Sequence, residues 1–357
     1  MSLLEERLFR DQKQIRDKVA AQSEAVEEAL TNAIHSLQTG NRRMAYTTVL
    51  KDYPINRTMR EIDRLCHSFI AVHLPSGTYL RLISSIIRVN IELERMGDYA
   101  VIIAREGVRI SSPPKGVLGR ELERLTADAM MMIRQSFKAF NEMNAELALA
   151  TKQMSNNVEY NLDAVYADIS ENTQLQEVKD TLALFVVFTQ LKRVVDQARN
   201  ICDDTVFSVT GKQKKPKMYN ILFIDEDNSL ASQLAEAIAR KNHSHCGNFS
   251  SAGRTPAAEI NPALVEFASD RIDGLEAAKP TALSALTYPD LAKQHVIVSL
   301  QGDVSSYIPE VPFHTRALEW DVGPVLDSSN TQDMEALYRN LALQIRDLVD
   351  LVCGEEV

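Results

Sequence analysis

Apolar residues recur every three or four positions from Leu3 to about Leu37, at Leu4, Leu8, Ile15, Val19, Val26, Leu30 and Ile34, with charged residues between them. On a helix that spacing makes one apolar stripe, and Gly40 closes it. A second helical stretch runs to about Leu74, with a bend expected at Tyr53-Pro54. Pro75-Ser76-Gly77 reads as a turn, and a third helix continues to about Ile110. After the loop Ser111-Ser112-Pro113-Pro114 the order begins again. A helix is expected from Glu121 to Met154, then a break at Ser155-Asn156-Asn157, a helix to about Glu171, and a last one from Leu175 to Val209. The pattern predicts an all-α part made of two tandem three-helix bundles, residues 1–111 and 115–211.

The third helix carries an irregularity. Ile87, Ile91, Glu94, Asp98 and Ile102 share one face, so two carboxylates interrupt an apolar seam. Burying an unpaired carboxylate costs several kcal/mol, so the pair needs a cation, a metal or an edge position that reaches water. The segment returns 98 residues later: Arg193 matches Arg95, Asp196 matches Asp98, Ala198 matches Ala100 and Val206 matches Val108. A motif repeating at one offset points to a duplicated helical unit.

Beyond residue 211 the pattern changes. Residues 212–217 carry four lysines and a proline, which reads as an exposed linker. In 218–357, Tyr219–Asp225 is a continuous apolar strand followed by a helix at about Leu230–Lys241. A second strand leads into Ser250–Gly253, a helix covers Pro262–Ile272, and His295–Leu300 is another buried strand. Arg316–Trp320 completes a parallel four-stranded sheet, and Asp333–Leu351 forms a closing amphipathic helix. Strands alternating with helices imply an α/β domain covered on both faces. His243-Ser244-His245-Cys246 leads into a strand, where alternate side chains point to opposite faces, so it reads as a loop-to-strand edge rather than a metal cluster. Trp320 reads as a core or site-wall aromatic.

Composition narrows the function. A 45% hydrophobic content supplies cores for several domains. No apolar run approaches the roughly 20 residues of a membrane span, and the charged N-terminus is unlike a signal, so a cytoplasmic protein is expected. A net charge of -10 argues against nucleic acid as a partner. Cys66, Cys202, Cys246 and Cys353 show no paired spacing and are expected to be free thiols.

ELERMGDYAVIIA, residues 92–104, resembles the helix signature that the PhoU family carries once in each of two three-helix bundles. Leu74-Pro75, Leu80-Arg81 and Val209-Thr210-Gly211 extend the resemblance over residues 1 to about 211. It implies a cytoplasmic regulator of phosphate uptake and phosphate-starvation signalling. Such a regulator works with the phosphate ABC transporter and a sensor kinase, self-associates, and reaches the membrane only through those partners. It also implies a divalent or trivalent metal ion on the acidic face, held by Glu94 and Asp98 in the first repeat and by Asp196 and Asp203 in the second. Two positions depart from the pattern. Lys192 replaces the second repeat's glutamate and is expected to pair with Asp196, and Arg105 stands where the first repeat would match Asp203.

ILFIDED resembles the opening of a response-regulator receiver, but no later strand ends in a phosphoacceptor aspartate. A resemblance in register over about Lys217–Val352 is to low-molecular-weight tyrosine phosphatases and thioredoxin-coupled arsenate reductases. It is carried by SAGRTPA at 251–257, NPALVEFASDRID at 261–273, HVIVSLQGD at 295–303 and LEWDVGP at 318–324. Those enzymes use a cysteine thiolate in a loop of N–H groups and an arginine that clamps the oxyanion. Here Asp225 stands at the cysteine, Ala231 at the arginine and Gly323 at the general acid, while Gln301 and Ile308 stand where the reductases relay electrons. Asn228 and Ser232 keep the frame. The expectation is a pseudoenzyme with no catalytic residues, Asp225, Asn228 and Ser232 forming a binding or sensing site. An enzyme regulated by its helical part, and a metal-binding module, are the alternatives.

Overall fold

The computed structural model describes residues 3–155, 178–213, 217–272, 274–312, 315–323 and 330–354. The chain divides into two compact units, Met1–Lys214 and Lys215–Val357.

In the first unit, α1 (Leu3–Thr39), α2 (Arg42–His73) and α3 (Gly77–Arg109) form one three-helix bundle. Asn41 caps α2 by accepting from Met44 N at 3.0 Å, and α2 runs on through Pro54 as one helix. It stops at Leu74, which takes a left-handed φ of 44° ahead of Pro75. The second bundle begins with α4 (Gly116–Asn141) and continues with α5, described over residues 145–155, and α6 (Val178–Thr210). The long helix expected from Glu121 to Met154 is broken at residues 142–144. Met143 has φ 56°, Asn144 N bonds back to the Ala139 carbonyl, and the Asn144 side chain caps the next helix by accepting from Leu147 N. The break expected at 155–157 and the helix to Glu171 lie outside the described residues.

Both bundles share one apolar core. Ile83, Ile86, Leu93, Met96 and Ile103 of α3 meet Leu184, Val187, Phe188, Leu191 and Val194 of α6 in it. Polar groups are placed where a backbone group needs them. Gln22 donates to the Ile55 carbonyl and Asn90 to the Met59 carbonyl, tying α1 and α3 to α2. The buried Asp180 carboxylate accepts from both N and Oγ of Ser111, which fastens the loop between bundles to the start of α6.

The second unit is built on a parallel sheet of β1 (Tyr219–Asp225), β2 (Gly247–Gly253), β3 (Val296–Ser299) and β4 (Arg316–Glu319) in the order β2-β1-β3-β4. Register is set by Ile221 opposite Phe249 and Val296, and by Val296 opposite Arg316. Alternate residues of β1 face opposite ways. Ile221 and Phe223 pack under α7 (Ala231–His243), α8 (Pro262–Ala268) and a closing helix, Thr331–Cys353. Leu222 and Ile224 face α9 (Tyr288–Ala292) and α10 (Val304–Tyr307), so the closing helix is α11. Trp320 packs beside Phe223, ring centroids 5.8 Å apart.

One expectation is overturned here. Cys246 and Cys353, 107 residues apart, form a disulfide with their Cα atoms 6.2 Å apart, while Cys66 and Cys202 are free and buried. Spacing along the chain carries no information about a pair that only the packing of α11 brings together.

Candidate functional site

The two motif helices pack antiparallel in one register. Arg88 Nε meets Asp204 Oδ1 at 2.5 Å, Asn200 Nδ2 donates to Glu92 Oε1 at 3.4 Å, and the Arg193 guanidinium lies over the Tyr99 ring at 5.9 Å. Each step forward on α3 is matched by an equal step back on α6. The acids do not sit in that seam. Leu93, Met96 and Ala100 face the core, whereas Glu94 is half-buried and Asp98 exposed, so the acids occupy the edge of the stripe rather than its centre.

They are not alone there. Burial raises the Glu94 carboxyl above the ordinary carboxylate range, and the charges of Asp98 and then Asp52 push it further. Burial likewise raises Asp52, with Asp98 adding to it and Arg105 and Asn56 opposing it. Asp52 is the residue that sequence reasoning missed. It lies on α2, and Gly97 lets α2 come close, since a Cβ there would stand 3.2 Å from an Ile55 methyl. Asp52 Oδ1 and Asn56 Oδ1 are buried without a hydrogen-bond partner among the described residues. The first repeat thus sets the carboxylates of Asp52, Glu94 and Asp98 near one another, with Asp52 Oδ1 and Asn56 Oδ1 unpartnered among the described residues, oxygens of the hard kind that divalent and trivalent cations take. Among the described residues no three His, Cys, Asp or Glu side chains converge as a finished metal cage.

The second repeat answers its acids with the chain's own cations. Lys152 Nζ reaches Asp203 Oδ1 at 2.5 Å, and Arg199 Nη2 reaches Asp196 Oδ1 at 3.0 Å. The partner of Asp196 is thus one turn C-terminal, not the Lys192 expected from the i to i+4 spacing.

In the α/β unit, Asp225, Asn228 and Ser232 are brought together at the C-terminal end of β1, bonded to one another. The buried Asp225 carboxylate accepts from Asn228 N at 2.7 Å and Ser232 N at 2.9 Å. Asn228, fully buried at φ 51°, donates to Ser232 Oγ and accepts from Gln233 Nε2 and Thr281 N. Two more loop amides go to side-chain oxygens: Glu226 N to Gln301 Oε1, and Ser229 N to Asp227 Oδ1. The loop carbonyls of Asp225, Glu226 and Asp227 accept from N–H groups of Arg254, Thr255 and Ala257 in the SAGRTPA segment. A loop of inward N–H groups at a helix start is a place for an anion, and here a side-chain carboxylate fills it. Burial raises Asp225, and the donors of Ser232 and Asn228 only partly offset it. Ala231 offers no cation, Ile308 is buried, and Gly323 donates its N–H to Asp321 Oδ1, while Pro324 lies outside the described residues.

The duplicated, register-paired helices have known counterparts. Residues 19–107 match the model of the PhoU domain. The helical part of this chain is 28% identical over 193 residues to the phosphate-specific transport system accessory protein PhoU homolog 1 of Thermotoga maritima, covering 53% of this chain and 83% of that one. It superposes on the crystal structure of PhoU from Pseudomonas aeruginosa with a TM-score of 0.55 at 25% identity, covering 57% of this chain and 99% of that one. The C-terminal part aligns with an arsenate reductase in its phosphate-binding state, at TM-score 0.33 and 16% identity, over 38% of this chain and 99% of that one. Among the described residues, no helix is long and apolar enough to cross a membrane.

Proposed function

We propose that this protein is a cytoplasmic regulator of phosphate uptake and phosphate-starvation signalling, acting through contacts with a phosphate ABC transporter, a phosphate-sensing kinase or both. The observation that supports the reading is the match of residues 19–107 to the PhoU domain, together with relatives named phosphate-specific transport system accessory proteins. The α/β unit is the non-catalytic part. Its loop holds an aspartate where a nucleophile would stand, and that aspartate is committed to the loop amides. Asp225, Asn228 and Ser232 then serve as the frame of a binding surface that biases docking. Affinity capture from phosphate-replete and phosphate-starved cells tests the reading. Recovery of the transporter or the kinase is expected, in amounts that differ between the two conditions, and recovery of neither in either state would remove it. Turnover of an aryl phosphate, or of arsenate with a dithiol reductant, lost in Asp225→Ala, would replace it with an enzyme.

We further propose that Glu94 and Asp98, with Asp52 beside them, attract a metal ion that must draw the three acids together, since among the described residues they do not converge on their own, while the lysine and arginine on Asp203 and Asp196 leave the second repeat without that need. The signs give a test. Because Asp52 and Glu94 have carboxyls raised above their ordinary values of 3.8 and 4.5, the metal-free helical unit loses stability as pH rises from that range through the raised values. Asp52→Asn is therefore expected to raise the metal-free melting temperature at neutral pH by about 1–2 °C, discounted for partial exposure. With a bound divalent or trivalent cation the order reverses, because the wild type gains and the variant does not. Calorimetric scans with and without manganese(II) or iron(III) read both signs, and a wild type indifferent to both cations sinks the metal.

A further inference from the structure

Two of the four cysteines are set up for chemistry that neither the acidic helices nor the β1–α7 loop uses. Cys246 closes the turn after α7. Its N–H donates to the His243 carbonyl at 2.9 Å, and its carbonyl accepts from Tyr219 N at 3.0 Å, which fixes it to the first residue of the sheet. It is buried at 2% exposure, whereas Cys353, the last residue of α11, is exposed. The buried side chains of α11 end at Val349, and Leu351 is 83% exposed. Beyond Val349, the tertiary contacts of the last turn among the described residues are the partly buried Val352 and the bond from Cys353 to Cys246. The other two thiols are of a different kind. Burial pushes Cys66 and Cys202 up to about 12, so at neutral pH they carry almost no thiolate and resist oxidants.

We propose that Cys246 and Cys353 are a reversible redox clip that pins the last turn of α11 to the start of β1 and β2 when oxidised by a peroxide, and frees it when reduced by a dithiol. In the oxidation, the exposed Cys353 thiolate attacks one peroxide oxygen. The O–O bond breaks, hydroxide leaves and takes up a proton, and Cys353 becomes a sulfenic acid. The Cys246 sulfur, giving up its proton, attacks that sulfur, the S–O bond breaks and water departs. Two thiols are oxidised to one disulfide, and one hydrogen peroxide is reduced to two waters. In the reverse direction one thiolate of a dithiol attacks the exposed Cys353 sulfur and releases Cys246. The second thiolate resolves the mixed disulfide, so both protein thiols return and the reductant leaves as its own disulfide. A bond spanning 107 residues also restrains the unfolded chain, so redox state sets the stability of the α/β unit together with the docking of its final turn.

The full chain, held in dithiothreitol or treated with hydrogen peroxide and desalted, is denatured, alkylated and mapped by mass spectrometry. Four labelled cysteines are expected in the reduced sample. Two are expected after oxidation, at Cys66 and Cys202, with the peptides of Cys246 and Cys353 joined within one chain. Native hydrogen exchange over residues 350–353 is expected to run about tenfold faster in the reduced protein, as for a helix end that has lost its tether. Cys353→Ser, a change at an exposed position, is expected to show the fast exchange under both conditions. Four labelled thiols after oxidation, a link between two chains or to Cys66 or Cys202, or equal exchange at 350–353 in the two redox states would each overturn the clip.

Discussion

Asp225→Ala is expected to destabilise the α/β unit by about 2–4 kcal/mol, because it leaves two buried backbone N–H groups, those of Asn228 and Ser232, without their acceptor. Trp320 is the only tryptophan of the chain and packs on the sheet beside Phe223, so its fluorescence in a urea titration reports this unit alone. Asp225→Asn is expected to lose less than half as much, since the amide oxygen keeps one of the two bonds and the burial of a charge is removed. The sign with pH follows from the raised carboxyl. The folded unit holds the Asp225 proton to higher pH than the unfolded chain, whose value is near 3.8, so this group's contribution is greatest at acid pH and shrinks as pH rises through the raised value. The deficit of Asp225→Asn should therefore be smallest at neutral pH. Removing the carboxylate also empties an anion place. Phosphate or sulfate is expected to raise the melting temperature of Asp225→Ala and to leave that of the wild type unchanged. A wild type stabilised by phosphate, with Asp225→Ala as stable as its parent, would mean that the loop is an open oxyanion site.

Gly253→Val is expected to cost about 3 kcal/mol or more, or to abolish the cooperative Trp320 transition. A Cβ at this position would lie 2.7 Å from Asn228 N, 2.8 Å from the Asp227 carbonyl carbon and 2.9 Å from Asn228 Cβ. Two of these are backbone atoms and cannot swing aside, so the loop and β2 must separate. Separation would also strain the neighbouring bonds from Arg254 N to the Asp225 carbonyl and from Thr255 N to the Glu226 carbonyl. Gly253→Ala meets the same atoms with a smaller side chain and is expected to fall between wild type and valine. The two loop changes should not add, because each disturbs the same set of bonds. Additivity of Asp225→Ala and Gly253→Val would show that β2 and the loop are not one element.

The framework of the site was legible and its closure was not. Asn228 and Ser232 could be placed from the frame that they keep around the loop. The Gly in SAGRTPA fits too, because only a residue without a side chain permits that approach. That the Asp225 carboxylate turns inward to take the amides, rather than outward to repel an anion, depends on χ angles and neighbours that no spacing encodes. On the helices, Glu94 and Asp98 could be read from their place on one face. Asp52 could not, because it sits on α2, separated from α3 by a turn, and only the approach allowed at Gly97 brings it in. The break at 142–144 was hidden because apolar periodicity continues across it. Asn144 was the available signal, a side chain suited to cap a helix in the middle of an expected one.

The sequence by itself determined most of the long helices, the parallel strands and the repeat of the helical motif. Those features follow from periodic burial and turn chemistry, which act between residues close along the chain. Only the tertiary structure decided which charges meet. Asp52 joins the acids of the first repeat, Lys152 and Arg199 neutralise those of the second, Asp225 fills its own loop, and Cys246 finds Cys353. The physical reason is the same in each case. Electrostatic pairing and covalent linkage need contact within a few ångströms, and contact between distant segments is set by how whole helices and strands pack, not by the residues that finally touch.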